Sequence, residues 1–254
     1  MTGTRRRPSQ ATPGHRESAA DGRSTRWDGH KARRRAEMLD AALAVIEENG
    51  TEISVQQIAD RLHVPRPVVY RHFDGRADLD DAIRRHIVES LMAELLPRLH
   101  PDGTVRELVR GAVGTYVGWV ERHPHLHRFL AAADPHGDSA TVLAGARDRI
   151  GGQLADLFAD TLQRFGIDRN RARPMAFGTV GFVDGVVNSW RAAPTLTSEQ
   201  VEGILTESVL ALLEGNARSL DVPLTRDTVV SELMARAQLS PRSPAGVATV
   251  VADL

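Results

Sequence analysis

An all-α protein is what this sequence predicts, and three observations predict it. From about residue 30 onward apolar residues recur at spacings of three and four. No long alternation of period two appears. Proline and glycine interrupt the pattern at His123-Pro124, Asp134-Pro135, Gly166 and Ala193-Pro194, as helix ends require. The chain has 254 residues, 41% hydrophobic and 26% charged, the balance of a soluble globular protein with a sizeable core.

Composition excludes some chemistry. There is no cysteine, so disulfides, thiolate metal sites and a cysteine nucleophile are ruled out. No apolar run approaches the roughly 20 residues that cross a bilayer. Arg5, Arg6 and Arg7 make the start basic, but no apolar stretch follows them as in a secretory signal. The expected location is the cytoplasm. The net charge of −1 is unevenly spread: residues 1–35 hold ten Lys/Arg against three Asp/Glu, which is +7 and leaves −8 for the rest. A basic head on an acidic body suits a polyanion, although a solvated tail has the same composition.

The elements follow in order. Residues 1–27, rich in Arg, Ser, Thr, Gly and Pro, offer little to bury and read as disordered when free. A first helix is expected over about 30–48, with Leu39, Leu43 and Ile46 as its stripe and Asn49-Gly50 as its stop. Ser54 is a good N-cap for a second helix, about 55–62, burying Val55, Ile58, Ala59 and Leu62. After a break at His63-Val64 a third begins near Pro65 and runs to Phe73. Proline costs little there, because first-turn N–H groups have no partner in the helix. Asp74-Gly75 marks a turn, and a fourth helix spans about 77–96, stopped by Pro97. Further helices are expected at about 104–122, 124–133, 139–165, 170–192 and 198–217, then a weaker one at 225–238 and a loose tail. Grouped as domains, these are a basic arm (1–29), a three-helix unit (30–76), a helical body (77–220) and an extension (221–254).

Two short helices joined by a tight turn, with a third packed beside them, form a helix-turn-helix. Its second helix presents its first side chains to base edges in the major groove. Here that helix is Pro65 to Phe73. Arg61, Arg66, Arg71 and Arg76 against Asp74 give residues 61–76 a charge of +3. Phosphate contacts would supply affinity and base contacts sequence choice. An ordinary three-helix packing with a solvated arginine face fits the charge equally.

The fuller string narrows this. Ser54-Val-Gln-Gln-Ile-Ala-Asp-Arg-Leu, then Val64-Pro-Arg-Pro-Val-Val-Tyr-Arg-His-Phe, then Arg76, closely resembles the TetR family of bacterial transcriptional regulators. Tyr70 to Phe73 is the most diagnostic part. The resemblance is sharp over about 35–85, and beyond it only the helical layout is similar. It implies that Val55 and Gln56 meet the duplex from the start of the second helix. It implies base-reading or backbone contacts for Pro65, Arg66, Pro67, Val68 and Tyr70. Arg71 joins this set, and His72 and Arg76 occupy phosphate positions. Two residues depart from the pattern: His63 stands where the family usually has glycine, and Pro65 where serine or threonine is frequent.

The resemblance also implies a homodimer, formed by the last two long helices, and a small-molecule effector, expected to be hydrophobic, held in the body. Gly178, Gly181 and Gly185 lie on one face of the first dimer helix. Leu205, Val209, Leu212 and Leu213 offer an apolar face on the second, though both helices would also suit a monomer's core. The pocket candidates are Tyr116, Trp119, Phe129, Phe158 and Phe177, with Val120, Leu130, Leu162 and Phe182 around them. Asp184 and Asn188, one turn apart, can fix a polar ligand group, pair across a dimer or face water. His123, His125 and His127 alternate like metal ligands. On a helix His125 points away from the other two, so a solvated helix entrance is the expectation, with no metal and no cofactor.

The function expected is therefore double-stranded DNA binding at a pseudo-palindromic operator by a dimeric, ligand-released repressor. The rival without an effector is an architectural DNA-binding protein. An enzyme is disfavoured, since Gly-x-Ser-x-Gly, His-Glu-x-x-His and phosphate-loop motifs are all missing.

Overall fold

The computed structural model describes residues 18–99, 103–132 and 138–236. Expectations for residues 1–17, for the break at Asp134-Pro135 and for the tail from 237 lie outside the described residues. The fold is all-α, as expected. Its helices are α1 (Ser18–Asn49), α2 (Val55–Arg61), α3 (Arg66–Tyr70), α4 (Gly75–Leu95), α5 (Val105–Arg122), α6 (Pro124–Ala131), α7 (Asp138–Arg164), α8 (Ala172–Ala192), α9 (Ser198–Ser219) and α10 (Val230–Arg236).

Local chemistry explains most of these limits. Ser54, Thr104 and Thr197 begin α2, α5 and α9 with reciprocal capping boxes to Gln57, Glu107 and Gln200. Gly50 ends α1 in the left-handed conformation, its N–H bonded to the Ile46 carbonyl at 2.9 Å. Two limits differ from the pattern. The first helix starts at Ser18, not near 30: no proline lies between Pro13 and Pro65, so helix propagates back past the apolar stripe. The recognition helix is shorter than Pro65 to Phe73. Pro65, extended at φ −64° and ψ 140°, caps it, Pro67 sits in its first turn, and five residues are α-helical. Arg71 and His72 continue it with tighter turns onto the Val68 and Val69 carbonyls.

A single apolar core runs through both halves. It joins Met38, Ala42 and Ile46 of α1 to Ile58, Val69 and Phe73, then passes along α4 (Leu79, Ile83, Ile87, Leu91) to α5, α8 and α9. A smaller cluster at the far end unites Ala159, Leu162, Ala172, Ala217, Val222 and Leu233. The segment after α9 is a strap. Its Thr228 and Arg226 carbonyls accept from the first N–H groups of α5, at 3.0 and 2.9 Å. Arg226 also holds Glu214 at 3.1 Å and Glu207 at 2.8 Å, which ties the strap to α9.

The turn between α2 and α3 contains one strained residue. His63 has φ of +53°, a conformation that costs a side chain bearing Cβ about 1–2 kcal/mol and glycine almost nothing. The family's usual glycine at this place has its physical reason here. His63→Gly is expected to raise unfolding stability by about 0.5–1 kcal/mol, after allowing for the extra freedom of unfolded glycine. Urea unfolding checks it, and an unchanged or lower midpoint would refute it.

Candidate nucleic-acid interface and effector cavity

The outer face of the helix-turn-helix is built from exposed side chains. Gln56, Pro65, Arg66, Pro67, Tyr70 and Arg71 are all exposed. Arg66 donates to the Tyr70 hydroxyl at 2.9 Å and lies 5.3 Å from its ring centroid, so the pair forms one preorganised polar and aromatic unit. Gln56 is steadied by Asp60 at 2.6 Å. Arg71 has no ion-pair partner among the described residues. Val68 and His72 are half-buried beneath this face.

Two of the expected contacts change role. Val55 is buried at 4% exposure, so its side chain packs in the core and does not face outward. Its place as the first residue of an amphipathic helix puts it on the inner stripe. Arg76 is exposed but engaged, with Asp80 at 2.8 Å and the Ile53 carbonyl at 2.6 Å. It locks the start of α4 to the approach to α2, and it must leave these partners to reach a phosphate.

The residue that sequence reasoning missed is Arg35. Its guanidinium lies 4.3 Å from the Phe73 ring centroid, donates to the His72 carbonyl and stands 3.6 Å from Asp78. It thereby fastens α1 to the end of the recognition segment and to α4. No local pattern flags such a residue, because its partners lie 37 and more positions away. Burial, then Lys31, Arg71, Arg35 and Arg34, hold the His72 imidazole below its ordinary pKa. Its Nδ1 is buried without a partner.

In the body, α4 to α9 and the strap enclose a cavity of about 590 Å³, well within the range of ligand sites. Its wall is mostly apolar. Of the expected pocket residues, Tyr116, Trp119, Phe158, Asp184 and Asn188 line it, as do Leu130 and Leu162. Phe129 and Phe177 do not. Phe129 is buried under the Arg84 guanidinium, 5.0 Å from its ring, and Phe177 packs on Gly151 beneath Arg173 at 4.4 Å. Val120 and Phe182 lie outside the lining as well.

Polar groups gather at one place on the wall. The Tyr116 hydroxyl donates to one oxygen of Asp184 at 3.2 Å, and Arg147 engages the other. Burial, then the Asp184 charge, push the Tyr116 phenol pKa up, so it stays protonated. His127 also lines the cavity, and burial holds it below its usual pKa. This corrects the expectation of a solvated histidine entrance. Only His123 and His125 face the helix junction, where they meet the Glu47 carboxylate at 2.7 Å and its carbonyl at 2.9 Å. No cluster with metal-ligand geometry occurs among the described residues.

A three-helix unit with a groove-facing second helix, set on a helical body that encloses a ligand-sized cavity, defines a helix-turn-helix transcriptional regulator. Comparison with known proteins agrees. Residues 38–83 match the family described as "Bacterial regulatory proteins, tetR family". An uncharacterized HTH-type transcriptional regulator of Mycobacterium tuberculosis is 30% identical over 187 residues, covering 73% of this chain and 80% of that one. The HTH-type transcriptional activator FasR of Mycolicibacterium smegmatis is 26% identical over 160 residues, 62% of this chain and 72% of that one. A solved structure of the regulator FadR from Bacillus subtilis, in complex with stearoyl-CoA, shares the fold with a TM-score of 0.52. Its identity is 18%, with 67% of this chain and 97% of that one covered. The chain belongs to the TetR family: it is a DNA-binding transcriptional regulator and not an enzyme. No helix among the described residues is long and apolar enough to cross a membrane.

Arg35→Ala is expected to lower unfolding stability by about 1–2 kcal/mol and to weaken DNA binding, by loosening the recognition segment. The slope of log affinity on log salt should stay as in the wild type, because no phosphate contact is lost. A slope reduced by about one would make Arg35 a phosphate ligand instead.

Proposed function

We propose that this regulator binds a pseudo-palindromic operator as a homodimer in the cytoplasm and is released by a small hydrophobic effector held in the body cavity. The observation that carries the reading is the shared core. The helices that wall the cavity also pack against the helix-turn-helix, so a ligand that favours one arrangement of the walls alters the placement of the recognition helix. The route is short. His127 and Leu130 of α6 line the cavity, while His123 and His125 at the start of α6 hold Glu47 of α1. The shift available equals the ligand's differential affinity for the two arrangements and no more.

DNA contact is assigned to the exposed set: Gln56, Pro65, Arg66, Pro67, Tyr70 and Arg71, with His72 at its edge. Repression is the simplest output, because a bound dimer blocks a promoter by itself. Activation, the role in the name of the Mycolicibacterium relative, needs a further surface for polymerase.

The dimer face is assigned to the outward sides of α8 and α9. Gly178, Gly181 and Gly185 are exposed, and a Cβ at any of them would meet nothing within 4 Å. Nothing inside the chain calls for glycine there, whereas close approach of a second helix does. On α9 the outward residues are Gly203, Ile204 and Ala211, and Ile204 is 48% exposed. The leucine face expected to dimerise points inward: Leu205 and Val209 are core and Leu213 lines the cavity.

Arg71→Ala should reduce operator affinity and lower the salt slope by about one, read by gel shift over a salt series. Unchanged binding would remove Arg71 from the interface. Gly181→Arg should yield a folded monomer by light scattering, with operator affinity lost because two half-sites no longer act together. A variant that stays dimeric would move the dimer face elsewhere. A regulator that no small molecule stabilises or releases would be the architectural alternative.

A further inference from the structure

The cavity is long, and its charge sits at one end. Helix α7 lines it from Arg147 to Leu162, which at 1.5 Å per residue is about 22 Å. Helix α8 lines it in the opposite direction, from Asn188 back to Met175. Arg147 and Asp184 are the charged side chains of the described lining, and they lie together where the described lining of α7 begins, at Arg147. The other end is closed by the strap, through Val222, Leu224 and Leu233. Thr179, along the way, turns its hydroxyl to the Met175 carbonyl and adds no free polarity.

At the charged end both Asp184 oxygens are engaged, and donors remain. Asp184 accepts from Tyr116 on one oxygen and from Arg147 on the other. The indole N–H of Trp119, one turn from Tyr116 on α5, is fully buried with no partner. An indole N–H can only donate, and leaving it unpaired in a dry wall costs free energy that a ligand acceptor would recover. Arg147 has further N–H groups beyond the one on Asp184 and is exposed.

Resting on the effector reading above, we propose that the effector is a long-chain carboxylate. Its head accepts from Trp119 and Arg147, and its unbranched apolar tail lies between α7 and α8 down to the strap. The strap then sets the longest tail accepted, which gives residues 222–233 a role in ligand choice.

The test is calorimetric titration of the full chain with hexadecanoate, its methyl ester, hexadecanol and hexadecyltrimethylammonium, all below their micelle concentrations. Operator release is followed in parallel. Hexadecanoate should bind about ten-fold or more tighter than the ester and alcohol, as a charge-assisted hydrogen bond implies, and the ammonium should bind weakest. Arg147→Ala should bring the carboxylate down to the affinity of the alcohol, and Trp119→Phe should weaken the carboxylate several-fold while sparing the alcohol. Across acids of rising length, affinity should climb and then stop. Leu233→Ala should move that stop to longer chains, a shift that misfolding does not produce.

Ester or ammonium binding as tight as the acid would overturn the head assignment while leaving the effector reading intact. Operator release by some other small molecule, with none of these chains bound, would overturn the long-chain proposal alone. Failure of every molecule to bind the cavity would overturn both.

Discussion

Everything in this molecule hangs on one helix having to bury the same stripe against two partners. Leu79 and Ile83 of α4 close the underside of the helix-turn-helix, and Ile87, Leu91 and Met92 continue the row into the body. A helix that is apolar on one face cannot leave half of it in water, so the two domains share one dense core. Under the proposed function, that constraint lets a cavity far from the duplex bear on it. Close-packed walls do not deform independently of their neighbours, and α4 is wall to both.

Polar groups complete what the apolar stripe cannot specify. Hydrophobic burial is non-directional, so it brings α1, α3 and α4 together without choosing their angles. Arg35 chooses one: it stacks on Phe73, donates to the His72 carbonyl and faces Asp78. Arg76 fixes the next corner through Asp80 and Ile53. These two cations orient the recognition segment from behind, which leaves Arg66, Tyr70 and Arg71 on the outside for a polyanion. The positive charge of this region therefore divides into a part engaged within the fold and an exposed part proposed to meet DNA, and net charge alone cannot separate them.

The same division explains what was legible in the sequence. Local signals were read well. Ser54 announced α2, Gly50 and Gly75 marked turns, and Tyr70 to Phe73 named the family, because each depends on residues three or four apart. Val55 was misplaced because a resemblance assigns positions while burial is decided by helix phase. The start of α1 was set too late because residues 18–29 carry no apolar stripe, and nothing in them forbids a helix either. Phe129 and Phe177 looked like pocket residues on size alone, but which neighbour a ring meets is a tertiary fact: Phe129 sits beneath Arg84 of α4, and Phe177 packs on Gly151 of α7. The strap was invisible, since its hydrogen bonds to Val105 and Arg106 span more than a hundred residues and their donors and acceptors are backbone.

His127 brings these strands together. It stands in a pattern of alternating histidines that reads as a surface feature, yet the first turn of α6 sends its three rings to different places. His123 and His125 reach Glu47 at the end of α1, and His127 turns into the cavity near Asp184. One short helix thus touches the DNA-binding unit with its start and the ligand wall with its next turn. A lever only eight residues long has little room to absorb a displacement by bending. A change in the cavity that moves His127 must either break the Glu47 contacts or carry α1 with them. Because α1 holds Arg35, and Arg35 holds the recognition segment, the proposed path from ligand to operator needs no element beyond those the fold already requires for its core.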